Sequence, residues 1–240
     1  MRSLSWRILT ILISATAAIT ARADEAQVRA ALQRAFPQQP IQEILPTLVP
    51  GILEAAINGQ VLYVTQDGQF VFAGPLIDVK NNQNLTAARL EKLNEIPFEN
   101  LPLDLAFKWV KGSGARKIAI FEDPDCPYCK VLDQTLKTMD NLTVFVFLFP
   151  IEQLHPEAIA KSRAVWCAPN PSKAWDEVVQ SGIVPAISGP CNDPIAKIAE
   201  FAKQHRINGT PTSILANGCR LVGAIPRVEL EQHLDSSTRP

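Results

Sequence analysis

Two cysteines separated by two residues, Cys126 and Cys129, are the residues of this chain best suited to chemistry. They follow an apolar run, Lys117-Ile118-Ala119-Ile120-Phe121, that predicts a buried strand, and they precede an amphipathic segment that predicts a helix. A helix N-terminus stabilises negative charge, and the thiolate is the reactive form of cysteine. The pattern therefore predicts a dithiol that donates or accepts a disulfide, with Cys126 as the nucleophile and Cys129 as the resolving thiol.

The elements around this pair predict a thioredoxin fold with a helical insertion over residues 101–240. Strands are expected in three places, at Leu103 to Val110, Arg116 to Phe121 and Leu142 to Phe149. The last of these is nearly all apolar, which is typical of a central strand covered on both faces. Helical segments follow up to His205, and an Asn217-Gly218 turn then joins two short strands before a final helix. The order β-α-β, helices, β-β-α is that of a thioredoxin fold.

Thr210 and Pro211 precede the first strand of that hairpin. A proline at the start of a β-rich run marks a sheet edge or a special bend. In thioredoxin folds a cis-proline at this point lies beside the catalytic cysteines and offers its backbone to an extended substrate. A plain trans proline is the alternative, since most X-Pro bonds are trans. We expect the cis form, with a substrate site formed by Thr210 and Pro211 together with Pro127 and Tyr128.

Residues 24–80 predict a small α+β domain, and residues 81–100 predict a linker helix capped by Asn84 or Thr86. A short helix is expected over residues 24–36, a hairpin over 61–73 and a further strand over 76–79. Prolines and a glycine break the apolar runs in between. So small a block is marginal as a lone domain, which favours pairing with a second copy. A helix packed on the second domain is the alternative to a linker.

The charges of the chain are balanced, with a net charge of −1 and both signs interspersed. This pattern lacks the basic footprint of a protein that binds nucleic acid or a membrane surface. We therefore expect no nucleic-acid partner.

Residues 1–23 have the pattern of a signal peptide. Arg2 and Arg7 give a basic start, Ile8 to Ile19 is uncharged and largely apolar, and Ala21-Arg22-Ala23 fits a cleavage site. The alternative is an uncleaved signal anchor, although the apolar stretch is short for a membrane span. Both readings predict that the body of the protein is exported.

Export determines how the five cysteines are interpreted, because disulfides persist in an oxidising compartment. The other three cysteines and the three histidines are too dispersed to complete a zinc site, so neither a metal nor a cofactor is expected. Cys167 and Cys191 flank a proline-rich polar segment and are expected to form a structural disulfide. Cys219 is left over, either as a half-buried strand thiol or as a third redox or intermolecular thiol.

With these features the chain resembles the DsbC/DsbG family of periplasmic thiol:disulfide interchange proteins. The matching stretches of the N-terminal block are Val61-Leu62-Tyr63-Val64-Thr65-Gln66-Asp67-Gly68 and Gly74-Pro75-Leu76-Ile77-Asp78-Val79. Those of the catalytic block are Phe121 to Cys129, Phe149-Pro150, Ala164-Val165-Trp166-Cys167-Ala168 and Gly209-Thr210-Pro211-Thr212.

The resemblance implies that residues 24–80 form a cystatin-like dimerisation domain. It also implies a V-shaped homodimer whose two thioredoxin-like domains face a shared apolar cleft for misfolded exported proteins. It implies that Cys126 is kept reduced by a membrane reductase of the DsbD type. It also implies that Cys167 and Cys191 match the second, structural disulfide of the family. Pro127-Tyr128 departs from the Gly-Tyr common in the isomerase and matches DsbG, and this dipeptide tunes the thiol pKa and redox potential.

The sequence thus predicts a periplasmic protein disulfide isomerase or reductase that acts on misfolded, disulfide-containing exported proteins. One alternative is a DsbG-like chaperone and protector of single cysteine thiols with weak isomerase activity. A monomeric oxidase of the DsbA kind is a third possibility, and the N-terminal block conflicts with it.

Overall fold

The structure is a computed structural model that describes residues 25–187 and 189–238, so the predicted signal peptide lies outside the described residues. The chain divides into two compact units, with the boundary between Leu93 and Asn94. This boundary falls within the segment 81–100 that the sequence assigns to a linker. Within the described ranges, no helix is long and apolar enough to cross a membrane.

The first unit is a helix packed on an antiparallel sheet, the α+β arrangement that the sequence predicts. Residues 25–35 form helix α1, and four strands follow in the spatial order β1-β2-β3-β4: β1 (Ile41–Pro46), β2 (Ile52–Ile57), β3 (Gln60–Thr65) and β4 (Val71–Phe72). The buried side chains Val28 and Leu32 of α1 pack on the apolar face of this sheet. Asn58 and Gly59, both with positive φ, make the tight turn between β2 and β3.

Strands β1 and β2 are absent from the sequence prediction, because Pro46, Pro50 and Gly51 interrupt their apolar runs. Pro46 is the last residue of β1, an outer strand of the sheet, where a missing N–H removes little ladder hydrogen bonding. Pro50 and Gly51 lie in the turn that joins the two strands. The two prolines and the glycine therefore mark a strand end and the turn of a hairpin, and they do not exclude a hairpin.

A short ribbon and a helix complete the first unit: β5 (Ile77–Asp78), β6 (Gln83–Asn84) and α2 (Leu85–Asn94). The Asn84 carboxamide oxygen accepts a hydrogen bond from a backbone N–H of the first turn of α2 at 2.9 Å, which caps the helix. Arg89 pairs with Glu54 of β2 at 2.6 Å and also with Glu43 of β1. These ion pairs attach α2 to the sheet of the first unit.

The second unit has a five-stranded sheet with helices on both faces. Its elements are β7 (Phe107–Lys111), β8 (Arg116–Glu122), α3 (Pro127–Lys137), β9 (Leu142–Leu148), α4 (Ala158–Trp166), α5 (Pro171–Ser181), α6 (Ile195–Gln204), β10 (Thr212–Leu215), β11 (Arg220–Val222) and α7 (Arg227–Ser237). The strand order is β11-β10-β8-β9-β7, with β8 and β9 parallel and the other pairs antiparallel. This is a thioredoxin fold with α4, α5 and α6 inserted between β9 and β10, as predicted.

Successive residues of β8 face opposite sides of this sheet. Ile118 and Ile120 pack in the apolar cluster that includes residues of α3, α5 and α7, whereas Ala119 and Phe121 pack in the cluster that includes residues of α6. Strand β9 also contributes to both clusters. The prediction of a central strand buried on both faces is thus confirmed.

The predicted strand from Leu103 to Val110 is wrong in its first half. Leu103–Leu105 forms a single 3₁₀ turn, and β7 begins at Phe107. Pro102 precedes the turn, and its carbonyl accepts a hydrogen bond from the N–H of Leu105 at 2.9 Å. The apolar side chains Leu103 and Leu105 pack against the α6-side cluster, so their apolar spacing reflects burial of a turn.

Candidate dithiol active site

The loop between β8 and α3 presents Cys126 at the N-terminus of α3. Cys126 is the residue before the first helical position, which Pro127 occupies. Asp123 shapes the loop: its carboxylate accepts from the N–H of Asp125 at 2.8 Å, and its carbonyl accepts from the N–H of Cys126 at 3.1 Å. Cys126 therefore lies at the positive end of the helix dipole.

The Cys126 thiol ionises unusually easily. A hydrogen bond from the Cys129 thiol is the largest cause, and the Thr210 side chain and the backbone N–H groups of Cys129 and Tyr128 add to it. Together they outweigh burial and lower the pKa of Cys126 from 9.0 to about 5. At neutral pH Cys126 is therefore a thiolate.

Cys129 lies one turn into α3 and is fully buried. The backbone N–H of Asp123 donates to its Sγ over 3.5 Å. Burial is the largest cause that raises the pKa of Cys129 far above its usual range, and the hydrogen bond to Cys126 and the charge of Glu122 act in the same direction. The two thiols of this short motif therefore differ in protonation state at neutral pH.

The loop before β10 lies beside the dithiol at the end of the sheet where β8 finishes and β10 begins. Strand β10 pairs antiparallel with β8, and Thr212 lies opposite Phe121, so the chain enters β10 where it leaves β8. The Thr210–Pro211 bond is cis. The Sγ of Cys126 lies 3.4 Å from the carbonyl oxygen of Thr210.

The residues predicted for substrate binding lie on both sides of Cys126. Pro127 and Tyr128 are exposed at the start of α3, with Tyr128 at 65% exposure, whereas Cys126 itself is only 7% exposed. Thr210 is half-buried and Pro211 is buried on the other side. Cys126 is thus far less exposed than Pro127 and Tyr128, which follow it.

Two acidic residues of the loop tie it to the segment after β9. Asp123 accepts hydrogen bonds from the N–H of Ile151 at 2.7 Å and from Nδ1 of His155 at 3.0 Å, and Asp125 pairs with Lys161 of α4 at 2.7 Å. The hydrogen bond to Asp123 is the largest cause that raises the pKa of His155. The sequence analysis did not predict this pair. The available signal was the Asp-Pro-Asp run directly after a buried strand.

Buried charge near Cys129 is a second feature that sequence reasoning missed. Glu122, the last residue of β8, is buried, and Asp133 on the inner face of α3 is buried with it. Asp133 pairs with Lys137 at 2.9 Å and accepts from the side chain of Gln180 at 2.8 Å. The signal in the sequence was a glutamate at a position where strand alternation calls for an apolar residue.

The other three cysteines lie apart from this pair. Cys167 and Cys191 form a disulfide with a Cα–Cα distance of 5.9 Å, which joins the end of α4 to the segment before α6. Cys219 is half-buried and packs against the apolar cluster that includes α3, α5 and α7.

The fold of the second unit and its helix-start dithiol define a protein of the thioredoxin-like class. Residues 103–238 match the family described as thioredoxin-like domain, and residues 19–87 match the disulfide bond isomerase protein N-terminal domain. A probable thiol:disulfide interchange protein DsbC of Bordetella avium is 40% identical over 207 residues, which cover 86% of this chain and 73% of that protein. The chain belongs to the DsbC family.

Other relatives agree with this assignment. A probable DsbC of Bordetella pertussis is 44% identical over 77% of this chain, and this chain spans 65% of the length of that relative. The DsbC of Escherichia coli is 29% identical over 90% of this chain and 89% of its own length. Among solved structures, a disulfide interchange protein from Neisseria gonorrhoeae superposes with a TM-score of 0.55 at 37% identity, covering 58% of this chain and all of that one.

Proposed function

We propose that this chain is a thiol:disulfide interchange enzyme that reduces or isomerises non-native disulfides of exported proteins through Cys126 and Cys129. The observation that carries the proposal is the contrast between the two thiols: Cys126 has a pKa of about 5, and Cys129 is buried with a raised pKa. The names of the relatives from Escherichia coli and Bordetella, thiol:disulfide interchange protein DsbC, support the same activity.

Cys126 begins the reaction as the nucleophile. Its thiolate attacks one sulfur of a substrate disulfide, a bond forms between Cys126 and that sulfur, and the other substrate sulfur leaves as a thiolate. The released thiolate then attacks another disulfide of the same substrate. Isomerisation ends when a substrate thiolate displaces Cys126, which is a good leaving group because its pKa is low.

Cys129 provides the route to net reduction. It loses its proton, attacks the Sγ of Cys126 and closes the Cys126–Cys129 disulfide, while the substrate sulfur leaves as a thiolate. Because Cys129 is buried and protonated, this step is delayed. The mixed disulfide therefore has time to rearrange before reduction completes.

The substrate segment is proposed to lie between Pro127 and Tyr128 on one side and Thr210 and Pro211 on the other. The Thr210 carbonyl lies 3.4 Å from the reactive sulfur, where it can accept a hydrogen bond from an extended chain. The exposed ring of Tyr128 offers apolar contact at the rim.

The first unit is proposed to join two copies of the chain. Strand β4 is an outer strand of its sheet, and an exposed apolar group lies on and beside it, with Phe70 at 65% exposure followed by Val71 and Phe72. Contiguous exposed apolar side chains mark interaction surfaces. Phe70→Asp should convert a dimer into a monomer by light scattering, whereas the neighbouring change Gln69→Asp should not. A dimer that survives Phe70→Asp contradicts this interface.

We place the protein in the periplasm because residues 1–23 have the pattern of an export signal. Net reduction of a substrate leaves Cys126 and Cys129 as a disulfide, so an electron donor is required. A membrane reductase of the DsbD type is proposed for this role. In cells without that reductase the pair should accumulate in the oxidised form, and a pair that stays reduced contradicts this partner.

Recovery of scrambled ribonuclease tests the proposed activity. The chain without residues 1–23 should restore ribonuclease activity, Cys126→Ala should abolish the recovery, and Cys219→Ser should retain it. Equal recovery with Cys126→Ala overturns the proposal.

A second candidate, a chaperone and protector of single cysteine thiols with weak isomerase activity, is favoured by the Pro127-Tyr128 dipeptide. This candidate predicts that the chain still suppresses aggregation when both Cys126 and Cys129 are replaced by alanine. It also predicts poor recovery of ribonuclease by the unmodified chain.

A further inference from the structure

His155 is held beside the dithiol loop from two directions. Its backbone N–H donates to the carbonyl of Ile151 at 2.9 Å, and Nδ1 of its ring lies 3.0 Å from the carboxylate of Asp123. That carboxylate is fully buried and also accepts from the N–H groups of Ile151 at 2.7 Å and Asp125 at 2.8 Å. The carbonyl of Asp123 accepts from the N–H of Cys126 at 3.1 Å. One buried residue therefore fixes both the imidazole and the backbone of the nucleophile.

The second ring nitrogen of His155 is left for another partner. Within the described ranges, Nε2 makes no hydrogen bond or ion pair with the protein, and the side chain keeps 24% of its surface exposed. A carboxylate that accepts from one imidazole nitrogen orients the ring and determines which nitrogen carries the proton of the neutral form. With Nδ1–H directed at Asp123, Nε2 is the atom through which His155 can exchange a proton with a client or with water.

Charged groups lie near His155 on two elements, the dithiol loop and α4: Asp123, Asp125, Cys126, Glu157 and Lys161. Lys161 is already paired with two of these carboxylates, at 2.7 and 3.3 Å. The hydrogen bond to Asp123 is the largest cause that raises the pKa of His155, and the negative charges of Cys126 and Asp125 act in the same direction. When the Cys126 thiolate enters a mixed disulfide, its charge disappears. His155 then gives up a proton more readily.

The segment that carries His155 lies on the cis-proline side of the nucleophile. Ile151 of this segment and Asn208 line the same pocket. Asn208 comes two residues before Thr210, whose carbonyl oxygen lies 3.4 Å from the Sγ of Cys126. The client is proposed to bind on this side, so the imidazole and the client sulfur that leaves are expected close together.

We propose that His155 donates a proton from Nε2 to the client sulfur that Cys126 displaces, with Asp123 orienting the ring. The proposal rests on the interchange activity proposed above. The Cys126 sulfur bonds to one sulfur of the client disulfide, the electron pair of the broken bond moves to the other client sulfur, and the His155 proton converts that sulfur into a thiol. In the isomerising direction the neutral imidazole takes this proton back, and the client thiolate attacks the next disulfide.

Two small disulfides that differ in their leaving thiol test this role on the reduced chain. The disulfide of thionitrobenzoic acid releases a thiol that is ionised at neutral pH and needs no proton, whereas 2-hydroxyethyl disulfide releases an alkyl thiol that is protonated there. Acid quenching followed by mass spectrometry gives the rate at which Cys126 loses its free thiol to each reagent. A changed pKa of Cys126 affects both reactions, so the ratio of the two rates isolates the proton on the leaving sulfur.

His155→Asn keeps an N–H donor toward Asp123 and removes the titratable proton. Its reaction with 2-hydroxyethyl disulfide should be at least ~10-fold slower, since general acids contribute this much or more, while its reaction with the thionitrobenzoate disulfide should be unchanged. The same substitution on α7, His233→Asn, is the matched control and should leave both rates unchanged.

The pH dependence gives a second measurement that needs no variant. His155 is protonated below its raised pKa and neutral above it. In the unmodified chain, the rate with 2-hydroxyethyl disulfide divided by the rate with the thionitrobenzoate disulfide should therefore fall as the pH rises through that pKa. In His155→Asn this fall should vanish.

Three outcomes overturn the role of His155: an unchanged ratio in His155→Asn, an equal slowing of both reactions, or a ratio in the unmodified chain that does not change with pH. If the unmodified chain attacks neither disulfide, the interchange activity itself fails. The two proposals therefore fail in distinguishable ways.

Discussion

The thiol of Cys129 hydrogen-bonds to the sulfur of Cys126, and this contact is the largest single cause of the low pKa of Cys126. On the proposed function, the resolving residue thus activates the nucleophile before it takes part in any bond exchange. The same contact acts in the opposite direction on Cys129, whose pKa it raises. The Cys-x-x-Cys spacing therefore contributes an electrostatic effect in addition to the capacity to form a disulfide.

Removal of the Cys129 thiol should raise the pKa of Cys126. In the reduced chain, alkylation of Cys126 followed by mass spectrometry should show a midpoint near pH 5. In Cys129→Ala the midpoint should move upward toward 9.0, while the Thr210 side chain and the helix N-terminus keep it below that value. Cys219→Ser serves as the matched control and should leave the midpoint in place. An unmoved midpoint in Cys129→Ala would show that the hydrogen bond does not set the pKa.

The stability of the reduced chain should increase with pH because of Cys126. Its folded pKa of about 5 lies below the ordinary value of 9.0, so its contribution is fully present above pH 9 and is lost as the pH falls toward 5. Between pH 5 and 8, the free energy of unfolding of the reduced chain minus that of Cys126→Ser should therefore grow with pH. Chemical denaturation under reducing conditions measures this difference, and a constant difference would contradict the low pKa.

The pairing of His155 with Asp123 should be visible in the titration of the imidazole. The pKa of His155 is raised above 6.5 by Asp123 first, with help from the charges of Cys126 and Asp125. Its contribution to stability is therefore full below pH 6.5 and is lost as the pH rises through the folded pKa. By NMR, Asp123→Asn should move the pKa of His155 down toward 6.5, while His205 and His233 act as internal controls. A pKa of His155 that is unchanged in Asp123→Asn would disprove the pairing in solution.

Removal of the disulfide between Cys167 and Cys191 should destabilise the second unit. The two residues are 24 apart in sequence, and the chain-entropy model gives a loss of roughly 3 kcal/mol for a loop of this size. The double change to serine should lower the free energy of unfolding by that order in chemical denaturation. Addition of a reductant should remove most of the difference from the unmodified chain, and a difference that persists after reduction would point to another cause.

Local patterns in the sequence were enough to predict most of the second unit. Its central strand β9 is a continuous apolar run, and Asn217-Gly218 makes a recognisable hairpin turn. The 3₁₀ turn at Leu103–Leu105 escaped because apolar spacing alone does not distinguish a buried turn from a strand. Strands β1 and β2 were not predicted, because prolines at the end of a strand and prolines that interrupt a strand have the same local sequence pattern.

The sequence pointed to Cys126 and Cys129 as the candidate site and could not predict their environment. Cys126 and Thr210 are 84 residues apart, and the contact between them depends on the pairing of β8 with β10. The burial of Glu122 next to Cys129 likewise requires knowledge of which face of β8 is covered by α3. Long-range packing of this kind determines the pKa values, and no motif encodes it.

On the proposed function, the low exposure of Cys126 beside the exposed Tyr128 has a consequence for the choice of clients. Under that function, the folded neighbourhood of a disulfide inside a compact native protein should meet the exposed Tyr128 side chain before the sulfur atoms come together. A wrongly paired disulfide in a loose chain is carried on a flexible segment, which should pass Tyr128 more easily. The enzyme would therefore act on flexible clients in preference to rigid, folded ones. Folding of the client should therefore end the reaction, because a folded client is stiffer.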